Sequence, residues 1–113
     1  MTVLTEIPGL SRVREHFLDL LPERLETIAM SLQAASHGVD PAQVAALLEP
    51  ADITLHRIAG AAGSLKLGDL GAHARRTELE VAAYRFACRE SDPSDFNRVA
   101  AQIEDFVAAA SAV

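Results

Sequence analysis

One cysteine, Cys88, is all the chain has. It leaves no partner for an internal disulfide and no second thiol for a metal or redox pair, so the chain reads as one suited to a reducing compartment. Aromatic residues make up only 4% of the sequence; alanine and leucine dominate instead, a mixture that favours closely packed helices. Positive charge is also short. The formal net charge is −6 and the sequence pI about 5.1, which argues against nucleic acid as a partner, because binding a phosphate backbone needs a basic surface. No run of about 18 apolar residues is present to span a bilayer. The opening MTVLTEIPGLSRVREHF has no basic segment followed by an apolar one, as a signal peptide would. These absences lead to the expectation of a cytoplasmic, monomeric protein with no membrane association.

What is present is helical. At 113 residues the chain fits one domain, 1–113, with a single hydrophobic core over about residues 10–110. Breakers at Pro8-Gly9, Gly38, Pro41, Pro50, Gly68 and Pro93 divide it, and between them apolar residues recur at spacings of three and four. Val13, Phe17, Leu21, Leu25, Ile28, Leu32 and Ala35 stripe a first helix from Leu10 to about Ser36, kinked or split at Pro22. Asp40-Pro41 caps a short segment to Leu48. A helix from Ala51 to about Leu65 leads to a tight turn at Gly68-Asp69, with Asp69 as a cap. Leu70, Ala74, Thr77, Val81, Tyr84 and Cys88 stripe the next helix to about Arg89; Phe96, Val99, Ile103, Phe106 and Ala110 stripe the last. Short connections imply antiparallel neighbours. The expected fold is an all-α, up-and-down antiparallel four-helix bundle, with a short extra N-terminal helix or a kinked first helix.

His56 interrupts this pattern. At about 100° per residue, Leu55, Ile58, Ala62 and Leu65 form the core arc of their helix, centred roughly 135° from His56. Asp52, Gly60, Gly63 and Leu67 fall within about 40° of it, and Ala59 at about 60°. The two glycines each weaken a helix by roughly 1 kcal/mol relative to alanine. Two readings compete: small residues that let a neighbouring helix pack closely beside an ordinary surface histidine, or an exposed nucleophile with room above it for another protein. A neutral imidazole, with its free lone pair, suits the second.

The stretch LHRIAGAAGSLKLGDLGAHARRTE, residues 55–78, resembles the signature of the histidine-containing phosphotransfer (HPt) domains of two-component phosphorelays. His56 matches their phosphorylated histidine, Gly60 the adjacent glycine, Ala61, Ala62 and Gly63 the small run, Leu70 the leucine and Glu78 the closing glutamate. FLDLLPERLETI, residues 17–28, is similar to the helix that precedes this element. Two positions depart from the pattern. Ala59 stands where the family has a lysine thought to help neutralise the phosphoryl group, and Lys66, the only lysine in the chain, replaces a glycine. Lys66 is about 15 Å along the axis from His56, too far to substitute. Arg57, Arg75 and Arg76 are the nearer candidates.

The resemblance implies a phosphoryl carrier without kinase activity of its own. His56 accepts the group, on Nε2, from a receiver-domain aspartate or a histidine kinase and passes it to another receiver. Its partners are response-regulator receiver domains and a sensor or hybrid histidine kinase. The chain needs no cofactor itself; Mg²⁺ is expected on the partner receiver only. Gly60 and Gly63 give the partner's loops access, Arg57 and Arg76 support, and Ala59 and the outward-facing Met30 are candidate partner contacts. The competing reading is a degenerate adaptor that binds receiver or kinase domains without transfer, for which Ala59 is the argument. No metal site is expected: His16, His37, His56 and His73 include no pair at i, i+3 or i, i+4. Ser64 and Cys88 lack a catalytic motif. Asp52 is read as a helix cap rather than an acceptor orienting His56, and Arg75, Arg76, Glu78 and Glu80 as a solvated, charge-paired helix face.

Overall fold

The helices begin and end where local chemistry satisfies their backbone. A computed structural model describes residues 9–87 and 92–113. In it α1 spans Leu10–Ala35, α2 Pro41–Leu47, α3 Glu49–Ser64, α4 Gly68–Phe86 and α5 Pro93–Ala110. The four long helices form an all-α bundle, and α2 is the short additional one. α1 runs through Pro22 as one helix, so the chain is not split there. Asp40 accepts from the Gln43 amide with Pro41 in the first turn, satisfying an otherwise orphaned donor. Asp92 opens α5 with a capping box shared with Asp95. The Ser94 hydroxyl, then the Asp95 and Ser94 amides, hold the Asp92 carboxyl below the usual carboxylate range.

α2 and α3 meet at Leu48, which has no side chain to offer as a cap. Neighbouring helices supply the missing partners. Ser31 Oγ of α1 donates to the Leu47 carbonyl at 2.7 Å and accepts from the Ala51 amide at 3.2 Å. Arg85 of α4 donates from Nε to the Ala45 carbonyl at 3.0 Å and pairs with Asp52 at 2.5 Å and Glu49 at 3.5 Å. Two expectations are corrected here. α3 begins at Glu49, not Ala51, because Pro50 fits the first turn, where its missing N–H costs nothing. Asp52 is not a cap; its carboxylate is held by Arg85. Arg85→Ala is therefore expected to lower stability. Because the Arg85 side chain is 26% exposed, the loss should be about 1–2 kcal/mol, read by urea denaturation; an unchanged midpoint would contradict the role given to this cluster.

Phe106, Ile28, Leu48, Leu55, Ile58, Ile103, Val81 and Val99 are fully buried and centre the core. Its one fully buried polar side chain among the described residues, Thr77, donates to the His73 carbonyl and accepts from Gln102. Val13 is 56% exposed, correcting its place in the core stripe: α5 ends alongside Leu18 and Leu21, so it does not reach the first turns of α1. Cys88 lies outside the described residues. Among those described, no helix is long and apolar enough to cross a membrane.

The turn between α3 and α4 is Leu65-Lys66-Leu67, and α4 begins at Gly68. This corrects the turn expected at Gly68-Asp69 and the capping role of Asp69, which already stands in the first helical turn. The Ala62 carbonyl accepts the Leu65 and Leu67 amides, closing α3 around a left-handed Lys66 at φ 62°. The two helices then run back along each other at very short range. A Cβ on Gly71 would lie 3.2 Å from the Gly63 nitrogen, 3.4 Å from Ala62 Cβ and 3.6 Å from the Ala59 carbonyl. Here packing favours glycine, because a side chain would press on the α3 backbone, and the closeness of α4 to α3 fixes what can reach His56.

Candidate functional site

The core arc of α3 is the one its spacing implies: Leu55, Ile58 and Ala62 are fully buried and Leu65 nearly so. His56 therefore stands on the outer flank, its side chain 70% exposed. The flank around it is low. Ideal Cβ atoms built at Gly60 and Gly63 meet nothing within 4 Å. Helix packing thus demands small residues at Ala62 and Gly71 but leaves the Gly60 and Gly63 directions open to solvent.

One neighbour fixes the ring. Glu78, on α4, places Oε2 2.8 Å from His56 Nδ1. An ionised carboxylate can only accept, so Nδ1 carries the hydrogen and the lone pair resides on Nε2. Nε2 has no hydrogen-bond partner among the described residues and faces solvent. Glu78 is itself anchored: its side chain is only 13% exposed, and Oε1 accepts from Arg75 Nη1 at 3.1 Å. The result is a chain of contacts, Arg75 to Glu78 to His56, that ends on a free, outward-pointing nitrogen.

The other sequence-predicted residues are distributed as follows. Ala59 is half-buried on the α4 side of the flank. Arg57 and Arg76 are exposed and make no ion pair among the described residues. Met30 is 61% exposed on α1; its neighbour Ser31 touches Ala51, which puts it near the start of α3, more than a turn before His56. His73 is turned inward, edge-on to Phe106 with ring centroids 5.2 Å apart. His37 lies beyond the end of α1, where Nδ1 is near the Gln33 carbonyl and the Ser36 hydroxyl. Among the described histidines, His56 is the one whose ring lies within hydrogen-bond distance of a carboxylate.

Glu78 is the residue that reading charges along one helix misses as a partner of His56. In sequence, Leu67 lies midway between the two. Folding α3 and α4 back on each other about Leu67 sets them side by side, so correct placement of the turn was the signal.

A family model described as Hpt domain matches residues 12–112, nearly the whole chain. No curated protein matches the chain, and no solved structure does.

Proposed function

The chain belongs to the Hpt domain family, whose role is phosphotransfer in two-component signalling, and from that premise we propose that His56 is the residue that takes and gives up the phosphoryl group. The observation that carries this reading is the imidazole itself: exposed, held through Nδ1 by Glu78, with Nε2 free. Hpt domains interact with receiver domains and kinases; here a receiver's phospho-aspartate is the donor and a second receiver the acceptor.

In the forward step the Nε2 lone pair forms the N–P bond while the acyl P–O bond breaks and its electron pair returns to the donor carboxylate. No proton has to leave Nε2. Positive charge develops on the ring and is shared with the Nδ1–H, which Glu78 already accepts, so the stabilising group is in place before the reaction begins. Release runs the same steps backwards. Phosphoryl transfer requires positioning and charge stabilisation more than covalent machinery, and Mg²⁺, in this proposal, resides on the receiver.

The test is incubation with a phosphorylated receiver. A base-stable, acid-labile label on the chain supports transfer; tight binding with no label on the wild type favours the adaptor reading that Ala59 suggests.

The open flank gives a second prediction, with opposite signs for folding and docking. Gly60→Ala and Gly63→Ala place a methyl in empty space and should each stabilise the chain, by up to about 1 kcal/mol. Gly60→Leu should slow transfer from a receiver while the chain stays folded. Stopped-flow transfer assays and urea titrations read the two effects; a Gly60→Leu chain that transfers at the wild-type rate would remove this flank from the docking surface.

A further inference from the structure

We propose that Arg75 is the cation of the phosphohistidine site: it positions Glu78, and its charge offsets that of the phosphoryl group on His56. The inference rests on the reading that His56 is the carrier residue, and deepens it. A phosphoryl group on Nε2 would add an anion beside Glu78, which is already negative and mostly shielded from water. Like charges that close are costly unless a cation is near. α3 provides none on this side, since Ala59 occupies the position facing α4. Arg57, next to His56 in sequence, projects about 100° away from it around the helix.

Arg75 is the cation physically connected to the ring. Its Nη1 lies 3.1 Å from one oxygen of the carboxylate whose other oxygen is 2.8 Å from Nδ1. Just as Glu78 and His56 are paired about Leu67, Arg75 and Ala59 are equally placed either side of it, so the arginine of α4 stands across from the small residue of α3. The Arg75 side chain is 57% exposed and its remaining donors are available to phosphoryl oxygens, for which a planar, always-charged fork is well suited. The vacancy on one helix is filled from the next. Arg76, one residue on, projects to another face of α4 and contacts neither Glu78 nor His56 among the described residues.

Phosphoramidate separates this proposal from the relay reading, because it loads the histidine without any protein partner: its P–N bond breaks, ammonia leaves, and Nε2 forms the new N–P bond. The loaded chain is then titrated by ³¹P NMR. A nearby cation favours the doubly ionised phosphoryl group, so Arg75→Ala should raise the titration midpoint of the ³¹P signal by roughly half a pH unit. Arg75→Lys should recover most of that difference, and Arg76→Ala should leave it unmoved. Arg75 is exposed, so these variants should fold as the wild type does. A midpoint unchanged in Arg75→Ala, equal effects of Arg75→Ala and Arg76→Ala, or failure of phosphoramidate to load the wild-type chain would overturn the proposal. Failure of receivers to transfer, with the ³¹P difference intact, would instead count against the relay reading alone.

Discussion

His56→Gln is expected to abolish phosphoryl acceptance while leaving the circular-dichroism signal and urea midpoint of the chain nearly unchanged. The two halves of this result have separate causes. Glutamine is close in size and polar, but its amide has no nucleophilic lone pair equivalent to Nε2, so no N–P bond forms. The histidine it replaces is 70% exposed, and substitutions at such positions usually change stability by no more than about 0.5 kcal/mol. The one native contact at stake, from Nδ1 to Glu78, can be partly remade by the amide NH₂ of glutamine. A variant that loses acceptance together with several kcal/mol of stability would show a histidine that holds the bundle together, and the flank described above would have to be abandoned as a site.

Glu78→Ala is the second large effect. It removes the acceptor that keeps the hydrogen on Nδ1, and the ring becomes free to rotate and to place either nitrogen outward. In carboxylate–histidine pairs at metal sites, loss of the carboxylate costs about 10–100-fold, and the rate of transfer to His56 should fall on that order. Glu78→Gln divides the effect. Its carbonyl still accepts from Nδ1–H, so orientation survives, but the negative charge that meets the developing imidazolium is gone. If Glu78→Gln falls nearly as far as Glu78→Ala, charge is the larger contribution; if it stays near wild type, orientation is. Wild-type rates in both would mean that the 2.8 Å contact is a surface ion pair of no consequence to transfer.

Much of the bundle is written in local rules. The spacing of Leu55, Ile58, Ala62 and Leu65 decides which side of α3 is buried, and with it the exposure of His56, because helix geometry leaves no freedom once the core arc is known. Asp40-Pro41 marks the start of α2 for an equally local reason. The features that escape this kind of reading depend on the meeting of distant segments. Asp52 looks like a cap when only its neighbours in sequence are considered, but an arginine thirty-three residues away takes its carboxylate. Val13 fits the stripe of α1 and is exposed all the same, because burial there depends on where α5 stops. Glu78 is the most instructive case. A turn centred on Gly68 pairs His56 with position 80, whereas the observed register, centred one residue earlier on Leu67 at the end of the turn, pairs it with position 78. A shift of one residue in a three-residue connection moves the partner by two, which on a helix is the opposite side. The left-handed Lys66 is what local propensity would not choose, since glycine is the residue that adopts that conformation freely.

The site follows from the same geometry. Gly71 lets α4 approach α3 until a Cβ would touch backbone, and that closeness brings a carboxylate within hydrogen-bond distance of the ring. Beyond it the chain withdraws: glycines at 60 and 63 leave the outer surface low. The histidine is thus tightly held on one nitrogen and unobstructed on the other, which is what a residue that must be both oriented and reached by another protein requires.

The most direct measurement of this is to transfer phosphoryl from a phosphorylated receiver to ¹⁵N-histidine-labelled chain and to locate the bond by ³¹P–¹⁵N coupling. The expected result is a single phosphoryl group on Nε2 of His56, with the Nδ1 proton still hydrogen-bonded. A phosphoryl group on Nδ1, or on any of the other histidines, would contradict the account at its centre.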